Sequence, residues 1–166
     1  MKLSSIRQHQ KVASIKYRKF KTTDRETITE LMKELYRETT SKRNGIPSEN
    51  INKTFSELLR SAEKGIMVVL EKWKQIVGYC LLINYWSNEY GGNVLSIDEV
   101  YIKPQFRGER IGTNFIESLI KSKFMKATAL KLEVKPSNSK VIKVYKKIGF
   151  KPSKNSHLIY HYKKPQ

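Results

Sequence analysis

Cysteine is almost absent from this chain of 166 residues. The one copy, Cys80, excludes an internal disulfide framework. It lies inside an apolar run, 76–83, and reads as a small core residue rather than a nucleophile. With three histidines beside it, a tetrahedral zinc site would have to use every histidine and cysteine of the chain, so no metal is expected. No apolar run approaches membrane-spanning length, so no membrane partner is expected. Residues 1–14 lack the apolar central block of a secretory signal. They read as a basic N-terminal tail, and a cytoplasmic location is expected. Acids are the remaining scarcity: 15 Asp and Glu against 33 Lys and Arg give a formal net charge of +18. That excess predicts nonspecific attraction to polyanions. Lysine is spread along the whole chain, however, so much of the charge reads as a solvated face.

What is present is ordinary for a globular protein, with 39% hydrophobic residues. The length predicts one domain over residues 15–166. Residues 14–20 alternate as a first strand. Thr23 and Glu26 have capping-box spacing, and Ile28, Leu31, Met32 and Leu35 recur as a helix to about residue 38. Residues 39–48 read as a loop. Ile51, Phe55, Leu58, Leu59 and Ala62 mark a second helix, with Gly65 as its stop. Residues 66–71 and 76–84 form a hairpin around a turn at 72–75, and the apolar interior of its second strand predicts burial on both faces. Residues 85–93 read as an aromatic loop and 94–102 as a strand. A helix follows from Gly112, with Phe115, Ile116, Leu119, Ile120 and Phe124 on one face. A fifth strand spans 129–134. A last helix has Asn138 as N-cap, Val141, Ile142, Val144, Tyr145 and Ile148 on its inner face, and Gly149 and Phe150 at its end. A final strand spans 158–162. The class is α/β (α+β): a central mixed sheet flanked by helices on both faces.

Residues 96–113 concentrate chemistry. A strand ends at Pro104, runs into a loop with Arg107, Gly108, Arg110 and Gly112, and leads to a helix start. The first amides of that helix lack partners and point back at the loop, an arrangement suited to phosphate. Asp98 and Glu99 lie just upstream. On a regular strand they face opposite sides. Leu95 and Ile97 share the parity of Glu99, which sets Asp98 apart with Ser96.

Two motifs here resemble the GNAT N-acetyltransferase superfamily. The first runs from Val100-Tyr101-Ile102 through Arg107-x-x-Arg110-x-Gly112, similar to that family's acyl-CoA loop. The second is Asn138, then Tyr145 seven residues later, then Gly149-Phe150. Neither a Gly-x-x-x-x-Gly-Lys-Ser/Thr loop nor a Gly-x-Gly-x-x-Gly loop occurs. The resemblance spans residues 15–162 and implies a GNAT-like acyl-CoA acyltransferase fold. It also implies an N-acetyltransferase that uses acetyl-CoA as cosubstrate and a small-molecule or protein amine as acceptor. Val100, Tyr101 and Ile102 would pair with the pantetheine arm. Gly108, Glu109, Arg110, Ile111, Gly112 and Thr113, with Arg107, would cradle the pyrophosphate. Asn138 would contact the cofactor or position its helix, and Tyr145 would protonate the departing sulfur. Asp98 matches the place of a glutamate base in some polyamine acetyltransferases, and it is preferred over Glu99. Structural or substrate-binding roles for both acids stay open. Dimers are common in the superfamily, so a homodimer is one expected state.

Arg110 stands where the family most often has glycine. It either occupies a positive-φ position at a cost or adds a charged bond to phosphate, and the rest of the motif favours the second. Tyr85, Trp86 and Tyr90 line the acceptor pocket or pack as ordinary aromatics. His157 and His161 carry no motif. The alternative function is a basic RNA- or ribosome-associated binding module on the same kind of fold, motivated by the charge.

Overall fold

The computed structural model describes residues 15–39 and 45–153. The tail 1–14, the expected strand 158–162, His157 and His161 lie outside the described residues. Two compact units divide the chain, Met1–Glu133 and Val134–Gln166.

The first unit is a five-stranded sheet in the order β1-β2-β3-β4-β5. Its strands are β1 Lys16–Lys19, β2 Gly65–Lys72, β3 Gln75–Ser87, β4 Gly92–Ile102 and β5 Ala129–Leu132. The first four pair antiparallel, and β5 joins β4 in parallel. Helices α1, Arg25–Thr39, and α2, Ser48–Arg60, cover one face. There Ile28, Leu31, Met32, Ile51 and Phe55 pack on Met67, Val69, Tyr79, Leu81 and Tyr101. Side chains alternate across strands, so Leu70, Cys80 and Leu82 are buried on the opposite face. Helix α3, Ile111–Ser122, lies on that side. Its Phe115 ring meets Tyr17 edge-on at 5.0 Å, and Tyr17 is the cross-strand partner of Leu70. The apolar run in β3 is thus covered on both faces, as its composition requires.

Several local expectations are corrected. Glu26 does not close the α1 terminus. The chain enters α1 through a 3-10 turn, and the Asp24 carboxylate accepts the Lys21 amide at 2.7 Å. Arg18 forks onto both Asp24 oxygens at 2.6 and 2.8 Å and reaches Glu71 at 2.7 Å. Helix α2 stops at Ser61 rather than Gly65, which is the first residue of β2. The aromatic loop is mostly sheet: Tyr85 pairs with Val94 and Trp86 with Asn93, so only residues 88–91 connect β3 to β4. Ile120 on α3 and Leu59 on α2 are exposed.

The second unit contains α4, Ser139–Lys147, in which the Asn138 side chain accepts the Val141 amide at 3.3 Å. Gly149 has φ +107, which a side chain would resist. That turn lets the Phe150 amide reach the Tyr145 carbonyl at 3.0 Å and the Gly149 amide reach Lys146 at 3.1 Å. The Phe150 ring lies 5.8 Å from that of Tyr145. Paired bonds and a closing apolar contact make this a Schellman stop.

Candidate functional site

The two acids are separated by an irregularity that sequence parity could not show. Leu82 of β3 pairs with Ile97, but Leu81 pairs with Glu99. Asp98 is the extra residue of a β-bulge. Beyond it the faces exchange. Glu99 therefore turns onto the α1 side while Ile97 stays on the other. Glu99 is 8% exposed, whereas Asp98 is exposed. The Tyr79 hydroxyl donates to Glu99 Oε2 at 2.7 Å, and Tyr36 of α1 bonds the same carboxyl. Burial raises the pKa of Glu99; the two tyrosine hydroxyls pull it back, and the charge of Asp98 adds to the rise. For Asp98, partial desolvation and then the charge of Glu133 act upward. Burial and the nearby Glu99 charge push Tyr36 up to about 12. Burial also pushes the Tyr79 phenol and Cys80 thiol up, so both stay neutral. A buried carboxylate with a raised pKa, and with no cation beside it among the described residues, is a competent proton acceptor.

Among the described residues, no strand pairs with the outer edge of β4 past the bulge. β5 pairs only with residues from Val94 to Ile97. The Lys103 backbone amide donates to the Val77 carbonyl at 2.9 Å. By the alternation of an antiparallel ladder, Glu99 and Tyr101 point their backbone groups at β3, while Val100 and Ile102 point theirs outward. The Ile102 carbonyl accepts Arg107 Nε at 2.8 Å. The remaining outward groups have no ladder partner among the described residues and suit an extended ligand that pairs as a further strand would.

The loop then turns through a 3-10 segment, Pro104–Phe106, to Arg107. Gly108 has φ +85, a value that selects glycine. Arg110 also lies in the left-handed region, φ 61 and ψ 16, as the N-cap of α3 with no side-chain cap bond. The costly alternative is therefore the one its backbone adopts. Its guanidinium lies 3.3 Å from Glu117 and is exposed. The first helical bond of α3 runs from Asn114 to the Arg110 carbonyl at 2.8 Å. The amides of Ile111, Gly112 and Thr113 precede it and have no helical acceptor. Together they form an anion-binding end suited to a pyrophosphate, the group the loop was expected to hold.

Arg107 is placed differently from the expectation of a phosphate ligand. It forks onto Glu38 at 2.9 Å and lies 5.1 Å over the Tyr101 ring. Tyr101 in turn donates to Glu34 and Glu38 at 3.0 and 3.1 Å. Arg107 thus ties the loop to α1. Glu109 pairs with Lys72, whose ammonium sits 4.3 Å from the Trp73 ring. A concavity of about 450 Å³ opens between α1 and residues 103–105, lined by Glu34, Glu38, Tyr101 and Lys103. A larger groove of about 1050 Å³ follows α2 and touches none of these groups.

Asn138 and Tyr145 occupy α4 of the second unit, in the cap and ring contacts described above. Tyr85, Trp86 and Tyr90 are 41%, 68% and 54% exposed. Tyr36, Tyr79 and Glu38 were missed from sequence. Tyr36 follows Ile28 and Met32 at intervals of four, which marks it as core-facing. Tyr79 is a phenol inside an apolar run, and a buried hydroxyl needs a partner.

The sequence profile of the acetyltransferase (GNAT) family matches residues 27–150. A mouse (Mus musculus) thialysine N-epsilon-acetyltransferase is 33% identical over 75 residues, which is 45% of this chain and 44% of that protein. The chain thus spans less than half the length of that curated relative. Solved structures share the fold. One is a predicted acetyltransferase with acetyl-CoA from Clostridium acetobutylicum, with a TM-score of 0.73 at 18% identity, covering 89% of this chain and 96% of that one. Another is glucosamine-6-phosphate N-acetyltransferase from Arabidopsis thaliana, with a TM-score of 0.66 at 21% identity, covering 89% and 98%.

Proposed function

The chain belongs to the acetyltransferase (GNAT) family, and from that premise we propose that it transfers an acetyl group from acetyl-CoA to a primary amine by direct attack. The observation that carries this reading is the open edge of β4 running into the unpaired amides of α3. The outward groups of Val100 and Ile102, with Tyr101 between them, receive the pantetheine arm. Gly108, Glu109, Arg110, Ile111, Gly112 and Thr113 take the pyrophosphate, and Arg107 holds the loop in shape. The thioester supplies an activated acetyl carbonyl when bound.

The acceptor must lose a proton before it attacks, since an alkyl ammonium has a pKa of about 10.4. Of the two acids, Glu99 is the base in this reading. It is buried and held by two hydroxyls, while Asp98 projects from the bulge. Asp98 adds negative charge that draws the ammonium in. Tyr145 protonates the departing thiolate and Asn138 caps the helix that presents it, the roles that the family resemblance implies. The relatives act, by their names, on thialysine and on glucosamine 6-phosphate. A primary amine on a small polar molecule is the acceptor class we infer. The family assignment does not favour a catalytically silent RNA-binding module.

Calorimetric titration with acetyl-CoA tests the cofactor half, and absence of binding at micromolar concentration would sink it. Thiol release over lysine, thialysine, glucosamine 6-phosphate, an aminoglycoside and a peptide with a free N-terminus tests the acceptor half. Release above hydrolysis with at least one amine is expected.

A further inference from the structure

Glu99 has two neutral partners in different settings. Tyr79 is 0% exposed and sealed in the core between β2 and β4. Its hydroxyl has Glu99 Oε2 as acceptor at 2.7 Å. Tyr36 comes from α1, is only half-buried, and bonds the same carboxyl. Tyr36 from α1 and Tyr79 from β3 face Glu99; Asp98 on its own strand and Cys80 on the opposite face of the sheet are close enough to feel its charge. Among the described residues no Lys or Arg lies within ion-pair distance of it.

We propose that the two tyrosines divide the handling of the base: Tyr79 fixes the carboxylate, and Tyr36 carries the proton from Glu99 to solvent. The proposal rests on Glu99 being the base. The steps balance. The acceptor N–H bond breaks, nitrogen keeps the electron pair, and an O–H bond forms on Glu99. Once Glu99 is protonated, the Tyr36 hydroxyl rotates to donate to water, and the Glu99 proton passes to the Tyr36 oxygen as the hydroxyl proton moves to that water. Both transfers occur together, so no phenolate accumulates. Tyr79 cannot take this part, because its hydroxyl is enclosed by core. Neither tyrosine is a catalytic residue in the strict sense, since each acts through Glu99; both are positioning residues.

The test uses Tyr36→Phe, Tyr79→Phe and Glu99→Gln in the full chain, each checked by thermal unfolding. The Glu99 carboxyl is titrated by carbon-13 NMR, which needs no acceptor. Loss of a hydroxyl donor removes a bond that favours the charged form. In each tyrosine variant the Glu99 midpoint should therefore rise by about one pH unit. With the acceptor selected by the panel, the acidic limb of kcat/KM should shift upward equally. Tyr36→Phe should also lower kcat about tenfold, and added imidazole should restore part of that loss. A lost packing contact would not respond to imidazole. An unshifted Glu99 midpoint in Tyr36→Phe overturns the proposal, as does a kcat that imidazole leaves unchanged. If Glu99→Gln keeps full activity, the base assignment itself fails, whatever the tyrosine variants do. If Tyr79→Phe does not fold, the partly exposed Tyr36 decides alone.

Discussion

Arg110 offers a test in which backbone and side chain can be separated. Its φ of 61 places it in the left-handed region, where a side chain costs about 1–2 kcal/mol relative to the ordinary helix. Arg110→Gly removes that cost. Glycine also gives the unfolded chain more freedom, which takes back about 0.5–1 kcal/mol. The ion pair with Glu117 is lost as well, but it is exposed and contributes little. The net expectation is a gain of about 0.5–1 kcal/mol, or about 1–3 °C in Tm for a chain of this size. Arg110→Ala keeps the backbone cost and loses the same charge, so its stability should match the parent or fall slightly. Affinity for acetyl-CoA should behave otherwise. If the guanidinium turns from Glu117 to phosphate, both variants lose one charge-assisted bond and bind about tenfold more weakly. Urea unfolding and calorimetry on the same two proteins give both answers. Equal stability of the glycine and alanine variants would refute the backbone argument, and unchanged affinity in both would refute the phosphate argument.

Gly112→Ala should leave the fold intact, because an added Cβ meets only Ile102 and Val100 side chains at 3.7 and 4.0 Å. The helix should gain up to about 1 kcal/mol while acetyl-CoA binding weakens, so retained affinity in calorimetry counts against a close approach of the ligand. Trp73 and Lys74 both have positive φ, 52 and 63, in a two-residue hairpin turn. Replacing them with Asn-Gly should stabilise the protein by about 1 kcal/mol in a urea melt. Asp24→Asn should cost about 2 kcal/mol at pH 7, because it leaves a half-buried Arg18 with Glu71 alone. Arg18 lowers the pKa of Asp24 below its ordinary 3.8, so this stability is present above that value. It is lost as pH falls through the lowered one, and the parent and variant curves should converge there. Tyr145→Phe should slow turnover while leaving acetyl-CoA affinity nearly unchanged; an equal loss of both in paired kinetic and calorimetric measurements would mark a packing role.

The elements were legible wherever apolar period and caps agreed. The run at 77–82 is buried on both faces, and Gly149 with Phe150 ends α4 by the contact that the pair implies. Legibility failed where a single residue changes geometry. The bulge at Asp98 adds one residue and exchanges the faces of everything after it. Alternation alone therefore put Glu99 on the face of Ile97, which it does not share. Polar composition hid the extension of β3 and β4 through Trp86, because edge pairing there needs no core-facing pattern. The loop glycines announced an anion site, but nothing in the spacing placed Glu38 against Arg107, a contact between residues far apart in the chain. Likewise, the partners of Glu99 come from two other elements, and only the fold brings Tyr36 and Tyr79 to it.

The charge balance gains meaning from that site. The chain carries 33 basic side chains for 15 acids, so an acid here meets a cation easily. Asp24, Glu38, Glu71, Glu109 and Glu117 each have one within ion-pair distance. Glu99 is more buried than Asp98, and among the described residues it has two phenols as partners instead of a cation. A guanidinium in their place would hold the carboxylate ionised and poorly basic. Neutral hydroxyls fix its position and leave its affinity for a proton high. On the proposed reading, the cation that completes this pocket is the ammonium of the acceptor. Acetylation turns that ammonium into an uncharged amide, so the attraction that drew the substrate in is gone once the product has formed.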